Sequence, residues 1–402
     1  MGISQSTGLE EGTVGASRRW AMLAAGTSAQ AASAVMTHGP AFLIPSLVDR
    51  EDLSLAQAGV VAAAPMVGVM CALVAWGLVT DRVGERFVLL TGLVATAVAG
   101  VAAVHAPGVV SLGVLLFLAG LSAASTGAAS GRVVVGWFPP RRRGLAMGIR
   151  QTAQPLGVGL AAATMAAVAD QHGPYAALWV PVVACAVAAV AVLVVVLDPP
   201  RPAGGPAAVP NPYRGDRYLP RIHGVSMLLV VPQFLVWTFA LVWLIDDRGW
   251  SPAAAGGVVA VAQVAGVLGR IGVGQLSDVV GSRMRPLRWV TWCAAAVMLA
   301  LGVAAGLESA VAVPLVVLAT MVTVSDNGLA FTAVAERAGP FWSGRALGLQ
   351  NTVQYLVASL VAPLAGLAVS RLGYAAVFAL AATFPLVAVA LVPLRDERAL
   401  TQ

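Results

Sequence analysis

The chain has 402 residues, 59% hydrophobic and only 10% charged, with a mean hydropathy of +0.85. Soluble domains carry about 25% charged residues; no soluble core hides so much apolar surface, so lipid is the solvent for much of the chain. The net charge of +6 comes from arginines, with no lysine, placed between apolar runs, which topology explains better than nucleic-acid binding does.

In chain order, residues 1–17 are small and polar and read as a disordered tail. Arg18-Arg19-Trp20 and the Ala-rich run behind it imitate a secretory signal. That run continues to about Val48, beyond the roughly 7–15 residues of a signal core, so it reads as a retained first span. Breaking the rest at charges and Gly/Pro clusters gives spans 1 to 6 near 20–48, 53–80, 86–105, 109–137, 144–169 and 174–197. Spans 7 to 12 follow near 221–245, 251–277, 286–306, 309–335, 344–370 and 373–394. Each reaches the ~20 residues that carry a helix across a bilayer. The runs are too long, and too little alternating, for the strands of a membrane barrel. Between the sets, residues 198–220 are rich in Pro, Gly and Arg and read as a flexible linker. The expected organisation is a tail at 1–17, a six-helix bundle at 18–197, the linker, and a six-helix bundle at 221–397. The cysteines Cys71, Cys185 and Cys293 lie far apart within apolar runs and form no metal or disulfide framework.

Arginine placement orients the chain. With the N-terminus inside, the inner loops and linker hold Arg82, Arg86, Arg141, Arg142, Arg143, Arg201, Arg283, Arg285, Arg288 and Arg345, among others. The outer loops hold only Arg50, Arg248 and Arg371. This asymmetry places both termini and the linker in the cytoplasm.

The two halves repeat. Adding 197 carries Gly77, Asp81, Gly84 and Arg86 onto Gly274, Asp278, Gly281 and Arg283. Adding 200 carries Pro140, Gly148, Thr152 and Gln154 onto Pro340, Gly348, Thr352 and Gln354. A direct repeat of this kind implies parallel bundles about an axis along the membrane normal, the symmetry of a rocking transporter. Gly77 and Gly274 suit places where helices come close, and Gly84 and Gly281 suit turns of positive φ. Asp81 and Asp278 end their helices where a neighbouring helix N-terminus attracts a carboxylate.

The first copy, Gly77-Leu-Val-Thr-Asp81-Arg82-Val-Gly84-Glu85-Arg86, resembles the loop between spans 2 and 3 of the major facilitator superfamily, Gly-x-Leu-x-Asp-Arg-x-Gly-Arg-Arg. Glu85 stands where that family has a basic residue, and the second copy lacks the Arg after Asp278. The resemblance covers residues 18–397. It implies an all-α membrane fold of two six-helix bundles, with the two turns latching the bundles while the carrier faces outward. It also ranks the fuller copy higher, so that Asp81 is expected to matter more than Asp278. Proton-coupled drug exporters of the superfamily carry an Arg in span 4 where this chain has Leu116, a departure that weighs against that class.

Charges inside a span are costly and mark function by default. Arg132 lies about 7–8 Å from Trp137 along its helix and is expected to snorkel to the interface. Arg150 and Gln154 share a face of span 5, while span 11 carries Gln350, Asn351 and Gln354; these polar stripes point to a hydrophilic cavity or to helix–helix hydrogen bonds. Arg270, about 12 Å into span 8, presents a fork that suits a carboxylate. It resembles the span 8 arginine of monocarboxylate and oxalate/formate carriers, with an ion pair to Asp326 as the alternative. Asp326 and Asn327 fall mid-way along span 10, where a lone carboxylate can take up and release a proton or sit in an ion pair. His38, before a helix-breaking Gly39-Pro40, is either a core hydrogen-bonding group or a proton relay, and Gln233 and Trp237 share a face of span 7.

Nothing in the sequence has the form of a P-loop, a catalytic carboxylate pair or a His/Cys ligand cluster. The reading is therefore a carrier and not an enzyme, with no cofactor or metal. It works as a monomer in the cytoplasmic membrane on a small organic anion, with a proton as candidate co-substrate and no nucleic-acid partner. Two other readings stand beside it: a proton-driven efflux pump for amphipathic drugs, and a non-transporting solute sensor.

Overall fold

A computed structural model describes residues 14–201 and 209–398. Most of the expected tail, residues 1–13, and linker residues 202–208 lie outside the described residues. All regular structure among the described residues is helical, in eleven stretches long and apolar enough to cross a membrane. The last, Ser343–Asp396, holds two spans, because Gly373 takes φ 77° and ψ 164° and interrupts the helix. Only glycine adopts that conformation without steric cost.

The spans are Ala16–Arg50, Leu55–Val83, Glu85–Val104, Val109–Trp137, Pro140–His172 and Pro174–Val195 in the first half. Tyr218–Asp247, Pro252–Val280, Met284–Gly306 and Ala312–Ala338 come next, then 343–372 and 374–391 on either side of Gly373. Spans 1 and 7 start a few residues earlier than the hydropathy alone suggests. The chain is a multi-pass membrane protein with the superfamily's all-α architecture. Its outer faces carry exposed apolar stripes at helical spacing, such as Val187, Val190 and Val194, or Leu356, Leu360, Leu364 and Leu367. Hydrocarbon accepts such stripes at no cost, and water does not.

Spans 1, 5 and 10 are among those that are not continuous. Span 1 runs as an α-helix over Ala16–His38 and then tightens into a 3-10 turn at Gly39–Leu43, where Pro40 removes a backbone donor. Span 5 divides into Pro140–Arg150 and Ala153–His172, and span 10 into Ala312–Thr323 and Asp326–Ala338.

The bundles meet at the end that carries the repeated turns. A Cβ on Gly77 would land on the backbone of Gly344, and one on Gly144 on the backbone of Gly274. These are the same contact twice: the 197- and 200-residue shifts carry span 2 against span 11 into span 8 against span 5. Around them Val134, Met147 and Ala146 of the first bundle share one apolar core with Leu329, Phe331 and Leu347 of the second. Toward the opposite end each bundle keeps its own core. The space between the bundles is therefore closed at the motif end.

Candidate functional site

The closed end is built on two carboxylates. Asp81, at the end of span 2, accepts hydrogen bonds from the backbone N–H groups of Gly344 (2.8 Å) and Arg345 (3.1 Å) and from Arg345 Nε (2.8 Å). Those amides open span 11, so the carboxylate meets the positive end of a helix dipole. Asp278, at the end of span 8, accepts from the backbone N–H groups of Gly144 (2.9 Å) and Leu145 (2.8 Å) at the start of span 5. Gly84 and Gly281 take φ of 118° and 67°, as the turns require.

Arg132 does not snorkel. It is 3% exposed and forms an ion pair with Glu85, with Asp81 3.6 Å away. Two acids held inside the bundle provide a stronger partner than the lipid headgroups do, which corrects the expectation drawn from its depth. Arg283 forms an ion pair with Asp278 (2.6 Å), donates to the carbonyl of Pro140 (2.5 Å) and lies 3.3 Å from Glu336. Arg86 donates its backbone N–H to Asp198 (2.8 Å) and its guanidinium to the carbonyl of Leu193 (2.6 Å), while Arg82 is exposed.

Behind this gate lies a polar cavity lined by both bundles. It continues into a second lobe lined mainly by the first bundle; Gln30, Gln154, Asn351 and Tyr355 line both lobes. The breaks in spans 5 and 10 bring Gln151 and Gln154, and Asn327, to the cavity wall. Helix interruptions with polar side chains at mid-membrane are where carriers hold their solutes. Asn327 is the hinge of an amide chain: Gln354 Nε2 donates to its Oδ1 (3.0 Å), and its Nδ2 donates to Gln233 Oε1 (3.1 Å).

Arg270 is 3% exposed and reaches the cavity wall, with its guanidinium carbon 5.8 Å from the centre of the Trp237 ring. Its Nε and Nη1 have no hydrogen-bond partner, nor has Asp326 Oδ1. Trp237 stands behind Arg270 and is not itself part of the wall. His38 lines the second lobe, with its Nε2 3.4 Å from Gln154 Nε2.

Two residues expected at the cavity point elsewhere. Arg150 is 1% exposed and saturated: Nε donates to Ser130 Oγ (2.9 Å), Nη2 to the carbonyl of Gly127 (3.1 Å) and Nη1 to Gln151 Oε1 (3.0 Å). The break after Arg150 separates it from Gln154, so the i, i+4 relation of a continuous helix does not apply. Gln350 is fully buried between spans, hydrogen-bonded to His223 and donating to Ser226 Oγ (2.5 Å). Conversely, Gln30, Gln151 and Tyr355 line the cavity although their sequence pattern does not single them out. Their polarity at mid-span is visible in the sequence, but which helix face turns inward is not.

A profile of the Major Facilitator Superfamily matches residues 21–363. Two proteins of Mycobacterium tuberculosis, each described as an uncharacterized MFS-type transporter, are similar along most of the chain. Rv2994 of strain H37Rv is 45% identical and MT3072 of strain CDC 1551 is 44% identical, over 384 residues that make up 95% of this chain and 86% of each relative. Solved structures share the fold at much lower identity. The E.coli fucose:proton symporter FucP has a TM-score of 0.75 at 14% identity, over 94% of this chain and 98% of that one. The proton:xylose symporter XylE has 0.74 at 16%, over 94% and 95%. The human organic anion transporter MFSD10 has 0.73 at 15%, over 93% and 99%.

Proposed function

This chain belongs to the major facilitator superfamily, and from that membership we propose that it is a secondary carrier of the cytoplasmic membrane moving a small organic anion, a carboxylate, by alternating access. The observation that carries the reading is Arg270: a buried guanidinium on the wall of a polar cavity, whose Nε and Nη1 have no hydrogen-bond partner among the described residues. A buried charge without partners is costly. A carboxylate supplies both the missing charge and two acceptors in the fork geometry. Arg150 and Arg283, buried as deeply, already donate to protein acceptors. The solved structures of the same fold transport fucose or xylose with a proton, or organic anions, so small polar solutes lie within what the architecture accommodates.

The arginine asymmetry places the motif end in the cytoplasm, so the carrier is latched on that side with its cavity turned outward. Asp326 acts as the proton site. An ionised Asp326 repels a carboxylate on Arg270, so anion and proton bind together. His38, beside Gln154 in the second lobe, is a second candidate proton site. The amide-rich wall weighs against the extrusion of apolar drugs.

Uptake of radiolabelled carboxylates into proteoliposomes tests the reading, with Arg270→Ala and Asp326→Asn beside wild type. Losing the charge partner of a buried anion costs about 2–5 kcal/mol, so Arg270→Ala is expected to lower carboxylate uptake more than tenfold. Asp326→Asn is expected to abolish accumulation driven by a pH gradient and to spare exchange. If carboxylates neither move nor exchange while a cationic dye is expelled down a proton gradient, the anion reading is wrong. Unchanged accumulation in Asp326→Asn removes that residue from the mechanism.

A further inference from the structure

We infer that the anion is polyhydroxylated, a sugar acid or an open-chain carboxylate bearing several hydroxyl groups. This rests on the anion reading of Arg270 and concerns the part of the ligand that Arg270 does not touch.

The argument is the state of the amides around the cavity. Gln30 Oε1 accepts from Ser130 Oγ (3.2 Å), Gln151 Oε1 from Arg150 Nη1 (3.0 Å) and Gln233 Oε1 from Asn327 Nδ2 (3.1 Å). Gln154 Nε2 faces His38 Nε2 (3.4 Å), Asn351 Nδ2 donates to the carbonyl of Leu347 (3.0 Å) and Gln354 Nε2 donates to Asn327 Oδ1 (3.0 Å). Each of these side chains is held at one end by the protein and open at the other. The first three leave an NH2 group free among the described residues, and the second three leave a carbonyl oxygen free. The guanidinium on Gln151 can only donate and the carbonyl on Asn351 can only accept, which fixes the open end of those two amides.

A wall of fixed donors interleaved with fixed acceptors matches a ligand whose groups do both. A hydroxyl donates once and accepts twice, so a row of hydroxyls satisfies such a wall and replaces the water that otherwise fills it. An aliphatic monocarboxylate satisfies Arg270 and strips water from the amides without replacing it. An uncharged sugar satisfies the amides and leaves Arg270 open. Sites built to hydrogen-bond a hydroxyl reject analogues that lack it, because their own polar groups are left unpaired. Phe234 and Phe331 add flat apolar surface for the carbon skeleton.

Three probes separate charge from hydroxyls at one chain length: D-gluconate, hexanoate and D-glucose. The purified full-length protein is titrated with each while its thermal midpoint is followed, since a ligand of the folded state raises it, and each probe is then tested for uptake into proteoliposomes. Gluconate is expected to bind and move, with hexanoate and glucose at least about tenfold weaker. If hexanoate equals gluconate, this inference falls and the anion reading stands. If glucose equals gluconate, the anion reading falls and the hydroxyl match stands. If none of the three binds or moves, the inference is overturned. As a second measurement, Gln354→Leu is expected to weaken gluconate about tenfold, and Gln354→Asn, which shortens the amide and keeps its chemistry, to weaken it less. Equal gluconate affinity in Gln354→Leu and wild type overturns the assignment of these amides to the ligand.

Discussion

The two gating turns are copies in sequence and mirror images in charge. In the first bundle the acid is on span 3 and the base on span 4, as Glu85 and Arg132. In the second the base is Arg283, the copy of Arg86 in the turn before span 9, and the acid is Glu336 on span 10. The cation on Asp81 comes from across the interface, from Arg345 of span 11, whereas the cation on Asp278 comes from its own turn. Glu85, which departs from the superfamily's basic residue, is thus the partner that lets Arg132 be buried. Each turn stays balanced although the charges stand at positions the repeat does not relate, so the turn requires a closed set of partners more than it requires any one sign at a given position.

Breaking the buried pairs should have the largest effect. Arg132→Ala takes the nearest cation from the buried carboxylate of Glu85, leaving Arg201 at 3.6 Å, and removing one member of a buried pair costs about 3–5 kcal/mol. The thermal midpoint of the detergent-solubilised protein should fall sharply, and Glu85→Arg combined with Arg132→Glu, which gives the first turn the charge order of the second, should recover part of the loss. An unchanged midpoint for Arg132→Ala would show that the pair is not formed.

The glycine crossings come next. Gly77→Val and Gly144→Val place side chains where backbones already touch, so the motif end should no longer close and transport should fall about tenfold, the equivalent of 1.4 kcal/mol against the latched state. The two variants should be alike, since the crossings are related by the repeat. Full transport in either would show that the crossing opens without cost.

The smallest effect tests the ranking of the carboxylates. Asp81→Asn and Asp278→Asn keep the shape and lose the charge, which weakens each hydrogen bond by about 1 kcal/mol. Asp81 lies between Arg345 and Arg132, while Asp278 meets Arg283, so Asp81→Asn should slow transport more. Equal loss sinks that ranking.

Much of this architecture is legible in the residues. Hydropathy alone delivers the spans, because each must satisfy its own backbone in lipid and so must be a long apolar helix. The repeat offsets relate the crossing of spans 2 and 11 to that of spans 8 and 5 once the packed bundles show either, and the positive φ of Gly84 and Gly281 comes from the turn. The site is legible only in part. Arg270, Gln154, Gln233, Asn327, Asn351 and Gln354 reach the cavity wall, whereas Arg150 and Gln350 turn away from it.

The reason is rotational. Sequence counts residues along a helix and therefore sets depth, composition and symmetry. It does not set which face turns inward once a helix is interrupted, as at residues 151–152 and 324–325. Depth predicts that Arg132 reaches for the interface; only the packed bundle supplies Glu85 as a nearer partner. Likewise, that Arg270 Nε and Nη1 lack a partner while Arg150 donates to Ser130 and Gly127 of span 4 depends on acceptors that packing brings within about 3 Å, which only the tertiary structure decides.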